Sequence, residues 1–172
     1  MPERMHSLPV SSSTDSLKLA HLRVGTGHYA LDIMCIREVI RSMAVIPVPK
    51  APEFVDGVIH LRKAVIPVID LRQRFGLPPA PEQETKRRIV ICTLDGRVIG
   101  LLVDEVTEVC NCQLTDLRPT PYYLQGEEVD FFPAVCRKGD ILMMLLDLRL
   151  MLANKQKIVA GQLDAQLLSN HS

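Results

Sequence analysis

The sequence predicts an all-β fold, barrel or sandwich, built from two small β units, and three observations carry the prediction. Apolar runs are short, rich in β-branched residues and separated by glycine- or proline-marked turns. No stretch before residue 150 offers the amphipathic helix of roughly 10–15 residues that a parallel crossover requires. A series of elements also recurs in the same order along the chain, which points to two small β units packed together.

Residues 1–16 are polar, hold two prolines and lack periodicity, so they are expected to be a disordered lead. Residues 17–24 read as a first strand, turned by Gly25-Thr26-Gly27 into a second over 28–33. Residues 34–40 fit a helical turn or a strand equally. Pro47, Pro49 and Pro52 punctuate a loop, with one helical turn expected over 51–56. Gly57-Val58-Ile59-His60-Leu61-Arg62-Lys63-Ala64-Val65-Ile66-Pro67-Val68-Ile69-Asp70 reads as a hairpin of buried strands, with a helical turn starting near Asp70.

Residues 77–84 carry three prolines and form a linker. Strand signals resume over 89–94, and Asp95-Gly96 turns them into 97–103. Residues 113–130 form the longest irregular stretch. A final hairpin turns at Lys138-Gly139-Asp140 and ends in Asp147-Leu148-Arg149. The run over 141–146 is apolar throughout, as burial on both faces would produce. Residues 154–172 are a tail, either a short amphipathic helix or frayed.

The recurrence pairs Ile36-Arg37-Glu38-Val39 with Val106-Thr107-Glu108-Val109, and Asp70-Leu71-Arg72 with Asp147-Leu148-Arg149. It divides the patterned region, 17–153, into subdomains of roughly 17–80 and 85–153.

Composition narrows function. Twenty basic and twenty acidic residues cancel, which argues against a nucleic-acid or anionic-membrane footprint. The start of the chain lacks a signal peptide's apolar core, and no apolar run approaches the roughly 20 residues of a membrane span. The cytoplasm is the expected location. With 47% hydrophobic residues, 4% aromatics and no tryptophan, aliphatic side chains are expected to fill the core.

Catalytic constellations are missing. Seven of the eight serines lie in the first 16 or last four residues, and the histidines share no metal-ligand spacing. Asp104-Glu105 and Glu127-Glu128 read as solvated loop charges rather than an acid–base pair. Five cysteines, Cys35, Cys92, Cys110, Cys112 and Cys136, lie in apolar runs and read as small buried hydrophobes of a reducing compartment. Cys110-Asn111-Cys112 lacks the usual Cys-x2–4-Cys spacing and reads as strand packing, not a metal site. Neither cofactor nor catalytic residue is expected. The competing class is a small thiol enzyme or redox sensor using Cys110 and Cys112.

Glu38 and Arg62 are charges set among apolar neighbours, where an unpaired buried charge would be unfavourable by several kcal/mol. Each reaches solvent on its own, or the two pair at a groove edge where a partner competes for the guanidinium.

The order and spacing of Tyr29-Ala30-Leu31-Asp32-Ile33, Ile36-Arg37-Glu38-Val39-Ile40, Ala51-Pro52-Glu53-Phe54-Val55-Asp56-Gly57, the hairpin into Asp70-Leu71-Arg72, and Gly100-Leu101-Leu102-Val103-Asp104 closely resemble the CheW family of chemotaxis coupling proteins. The resemblance implies two intertwined five-stranded SH3-like barrels with short helical turns. It implies a non-catalytic adaptor linking the cytoplasmic tip of a methyl-accepting chemoreceptor to the regulatory domain of a CheA-type histidine kinase. A coupling role in a non-chemotactic pathway, controlling pili or a second messenger, is the alternative. The family's glutamate and arginine fall on Glu38 and Arg62, and the implied partner-binding set is Ile36, Glu38, Val39, Gly57, His60, Arg62, Lys63, Ile89 and Val98. For each aliphatic member, core packing competes with groove lining. His60 stands where the family has asparagine, and Lys63 where it has glycine, so another loop geometry is expected there. Phe132-Pro133-Ala134-Val135 also departs from the family pattern.

Overall fold

The computed structural model describes residues 16–124 and 126–153, so the expected tail and residues 1–15 of the expected lead lie outside the described residues, while Ser16 opens the first strand. Eleven strands run β1 (Ser16–Val24), β2 (Gly27–Asp32), β3 (Ile36–Arg41), β4 (Val55–Leu61), β5 (Ala64–Asp70), β6 (Arg88–Leu94), β7 (Arg97–Val103), β8 (Glu105–Gln113), β9 (Leu117–Pro119), β10 (Ala134–Lys138) and β11 (Ile141–Leu145). Two short helices, α1 (Leu71–Arg74) and α2 (Leu148–Ala153), follow β5 and β11.

The strands form two sheets with orders β3-β6-β7-β5-β4 and β8-β1-β2-β11-β10-β9. Each order maps onto the other: an edge strand, a hairpin from the opposite half of the chain, a parallel step, then a second hairpin. The parallel steps are β5 beside β7 and β11 beside β2. Each barrel therefore takes strands from both sides of the proline segment, and the two are intertwined. The second sheet has a sixth strand, the three-residue β9. Its counterpart in the first is the single bridge of Ile46 to Val58.

Local chemistry sets the ends of these elements. The Asp70 carboxylate accepts from Arg72 N–H at 2.9 Å and caps α1. Asp147 does the same for α2, accepting from Arg149 and Leu150 N–H at 2.8 and 3.1 Å. Residues 34–40 resolve into both alternatives, a 3-10 turn Ile33–Cys35 capped by Asp32 and then strand β3. Residues 51–54 form a turn rather than the expected helical turn, closed by Val55 N–H on Pro52 C=O at 2.9 Å.

Three apolar clusters hold the molecule together. Ile59, Ile66, Val68, Ile89, Ile91 and Leu102 fill one barrel, and Leu19, Ala30, Cys112, Cys136 and Met143 fill the other. The largest cluster joins both sheets and includes Leu22, Leu31, Ile69, Val90, Leu101 and Leu146. Strand β6 is thus buried on both faces: Ile89 and Ile91 face the barrel while Val90 and Cys92 face the central core. The run over 141–146 behaves differently, because Met143 and Leu146 are buried while Leu142 is exposed. Aromatic rings also matter more than the composition suggested. Tyr29, Phe75, Phe131 and Phe132 pack together in the central core, with Phe75 4.9 Å from Tyr29 and 5.4 Å from Phe132.

Two further corrections concern residues read as bland. Cys112 and Cys136 form a disulfide inside the second barrel rather than standing as free thiols. Asp104 is wholly buried rather than solvated. It accepts from Arg72 Nη2 at 2.7 Å and Nε at 2.9 Å, and from Gly25 N–H at 2.6 Å. Burial alone would raise its pKa, but the Arg72 guanidinium and the Gly25 amide outweigh it and hold the carboxyl below its usual range. Since Gly25 follows β1 and Arg72 lies in α1, this one carboxylate ties both barrels together.

Candidate interaction surface

Strands β3 and β4 are consecutive in sequence yet lie at opposite edges of their sheet. Glu38 on β3 and Arg62 in the β4–β5 turn bring those edges together. The guanidinium grips the carboxylate at two points, Nη2 to Oε1 at 3.0 Å and Nη1 to Oε2. The two charges are thus paired rather than reaching solvent independently. The Glu38 carboxylate raises the pKa of Arg62 further above its already high value.

Local backbone features aim both groups. A β-bulge at Arg37 interrupts the pairing of β3 with β6 immediately before Glu38, and a bulge re-aims the side chain that follows it. At the hairpin tip Arg62 and Lys63 both adopt positive φ, 49° and 69°, the left-handed pair of a type I′ turn. The turn therefore takes positive φ at both positions although neither residue is glycine. A left-handed conformation is unfavourable by about 1–2 kcal/mol for each residue with a Cβ, a cost the rest of the hairpin offsets at this tip.

The remaining members of the implied set separate by burial. Val39, His60, Arg62 and Lys63 are exposed. Ile36 and Val98 are half-buried against the central and first-barrel cores. Ile89 is completely buried inside the first barrel, and packing accounts for its place. Gly57 is buried with φ +153°, and a Cβ there would meet the Ile46 carbonyl oxygen at 2.2 Å. Its role is to let the β3–β4 connection lie against β4, where Ile46 and Val58 exchange backbone hydrogen bonds of 2.8 Å.

The second barrel repeats the arrangement. Glu108 on edge strand β8 follows a bulge at Thr107 and pairs with Lys138, at the end of β10. Exposed aliphatics lie near both pairs in sequence, Val39 (42%) and Val65 (45%) at the first and Val109 (60%) and Leu142 (49%) at the second, and strand alternation turns them to the sheet face opposite the glutamates. The sequence echo of residues 36–39 and 106–109 carried this second pair, but Lys138 gave no signal by itself.

Thiol chemistry is disfavoured. Burial pushes Cys92 up to about 12 and also raises Cys35 and Cys110, so none of these is an activated thiolate. Cys112, the other half of the proposed thiol pair, is bonded to Cys136.

Two intertwined all-β barrels, each with a bulge-aimed glutamate gripping a cation of its own sheet, define the class of protein. The comparisons agree. The CheW-like domain model matches residues 18–156. The chemotaxis protein CheW of Rhizobium meliloti is 34% identical over 131 residues, covering 76% of this chain and 84% of that one. That of Treponema pallidum is 26% identical over 152 residues, covering 87% and 89%. The crystal structure of the scaffolding protein TtCheW from Thermoanaerobacter tengcongensis superposes with a TM-score of 0.73 at 29% identity, covering 83% of this chain and 97% of that one. The chain belongs to the CheW-like family, whose members are non-catalytic scaffolds of chemotaxis signalling.

Proposed function

We propose that this chain is a cytoplasmic adaptor that couples the tips of methyl-accepting chemoreceptors to the regulatory domain of a CheA-type histidine kinase. The observation that supports it is the doubled ion pair, Glu38–Arg62 and Glu108–Lys138, one in each barrel, with the exposed aliphatics Val39, Val65, Val109 and Leu142 on the outer sheet faces. An adaptor needs two faces held in fixed relation, and the central core shared by both sheets supplies the rigidity. In this reading the receptor helix lies against the outer face of the first barrel, over Val39 and Val65, with His60, Lys63 and the Glu38-held Arg62 at its rim. The second face takes a barrel of the kinase. Apolar burial supplies most of the affinity and the ion pairs set register.

The test is a pull-down of the host's receptor cytoplasmic fragments and histidine kinases with the purified chain, repeated with Arg62→Ala. Capture of both classes, weakened for receptors by the substitution, supports the proposal and identifies the pathway, chemotactic or otherwise. Folded protein that captures neither would sink it.

A further inference from the structure

A cleft of about 430 Å³ opens where β3 ends, the proline segment returns and β6 begins, lined by Arg41, Ser42, Glu84, Thr85, Arg87 and Arg88. The charges beneath it balance. Asp70, Asp104, Glu84 and Glu105 face Arg23, Arg72, Arg87 and Lys86, four carboxylates against four cations, all within ion-pair reach. Glu84, the carboxylate on the cleft wall, is held by Arg23 at 2.7 Å.

Two positive charges remain outside that balance. Arg41 and Arg88 are directly opposite each other across the β3–β6 pair. Like charges in that position repel. Among the described residues neither has a carboxylate partner, and the Arg88 guanidinium donates only to the Arg87 carbonyl, at 2.9 Å. Arg87 is fixed between them and the network: its Nε and Nη2 are buried without hydrogen bonds, 3.5 Å from Asp104 and 3.6 Å from Asp70. The hydroxyls of Ser42 and Thr85 complete the lining and have no partner among the described residues.

We infer that this cleft binds the phosphoryl groups of a small phosphorylated anion. The two uncompensated guanidiniums, Arg41 and Arg88, and two hydroxyls present more donors than the two oxygens of a carboxylate can accept. A phosphoryl group offers three oxygens and up to two charges, and arginine forks match it in pairs. The lining holds no aromatic ring, so recognition rests on the phosphoryl oxygens rather than on a stacked base. An anion there also relieves the repulsion between Arg41 and Arg88. The site lies on the strand that carries Glu38 and is distinct from the paired residues of the docking faces.

Calorimetric titration of the full chain with inorganic pyrophosphate at constant ionic strength tests this, with succinate as the carboxylate comparison. One saturable site per chain is expected, at least tenfold weaker in Arg41→Gln and in Arg88→Gln and unchanged in Arg118→Ala. Unliganded Arg41→Gln should melt no lower than the parent, because the substitution removes a repulsion. Thr85→Val, on an exposed loop, gives an independent variant and should also weaken binding. No saturable binding, equal affinity in the arginine variants, or succinate binding as tightly as pyrophosphate would overturn the inference.

Discussion

Glu108 occupies in one barrel the place that Glu38 occupies in the other. Each follows a bulge on an edge strand, at Arg37 and Thr107, and each reaches a cation on a later strand pair of its own sheet. The same backbone irregularity thus does the same work twice. The cations are not equivalent, however: Arg62 sits in its turn and Lys138 ends its strand. Arginine's planar fork grips two oxygens where lysine offers a point charge.

That asymmetry predicts separable partners. Arg62→Ala should weaken receptor-fragment binding by about tenfold, as loss of an arginine anchor does, and leave kinase binding within about twofold. Lys138→Ala should do the reverse. Both variants should melt close to the parent, since exposed ion pairs add little stability. Titration of each variant against each partner checks this, and two variants that lose both partners equally would refute the division.

The disulfide gives a second prediction. Cys112 on β8 and Cys136 on β10 join the same two strands that Glu108 and Lys138 join at the surface. The bond closes a loop with a sequence separation of 24, for which chain entropy implies about 3 kcal/mol of stabilisation. Replacing both cysteines by alanine should lower unfolding stability by about that amount. Parent protein treated with reductant should fall by a similar amount in urea titration. A variant as stable as the untreated parent would show that the two thiols do not bond in solution.

Much of this was legible before the structure, and the misses share a cause. The hairpins at Arg62-Lys63, Asp95-Gly96 and Gly139-Asp140 follow from local turn chemistry and β-branched runs. The echo of residues 36–39 in 106–109 was legible because a duplicated unit repeats its bulge and its glutamate. Cys112 with Cys136, and Asp104 with Arg72, were not, because such partners meet only once the order of strands is known. Burial beside the interface failed for the same reason. Ile89 and Val39 look alike in sequence, but β6 is central and buried on both faces whereas β3 is an edge.

Arg72→Met should be the most damaging single change among the charged residues. It leaves Asp104, which has no solvent exposure, with its closest cation removed. Breaking a buried pair from one side is unfavourable by about 3–5 kcal/mol. Arg87 and Arg23, at 3.5 and 3.9 Å, replace part of the lost charge, so the lower end is expected. Arg72→Met combined with Asp104→Asn should recover part of the loss, because no full charge is then stranded. Denaturant unfolding of the three variants measures it, and a double variant worse than the single would show that Asp104 is held chiefly by its other partners.

Stability should also fall on mild acidification, through His21. The ring is buried, its Nε2 lies 2.9 Å from His28 Nδ1, and its own Nδ1 has no partner. Burial, and then the neighbouring His28 and Lys138, lower its pKa, against a weaker opposing pull from Glu105. The unfolded chain therefore takes up a proton near pH 6.5 that the folded chain refuses. Stability is full above that pH and declines as pH falls from about 6.5 toward the lower folded value. The urea midpoint should drop between pH 7.5 and 5.5, and His21→Gln, which cannot take up the proton, should flatten that drop. An equally steep decline in the variant would move the effect to other groups.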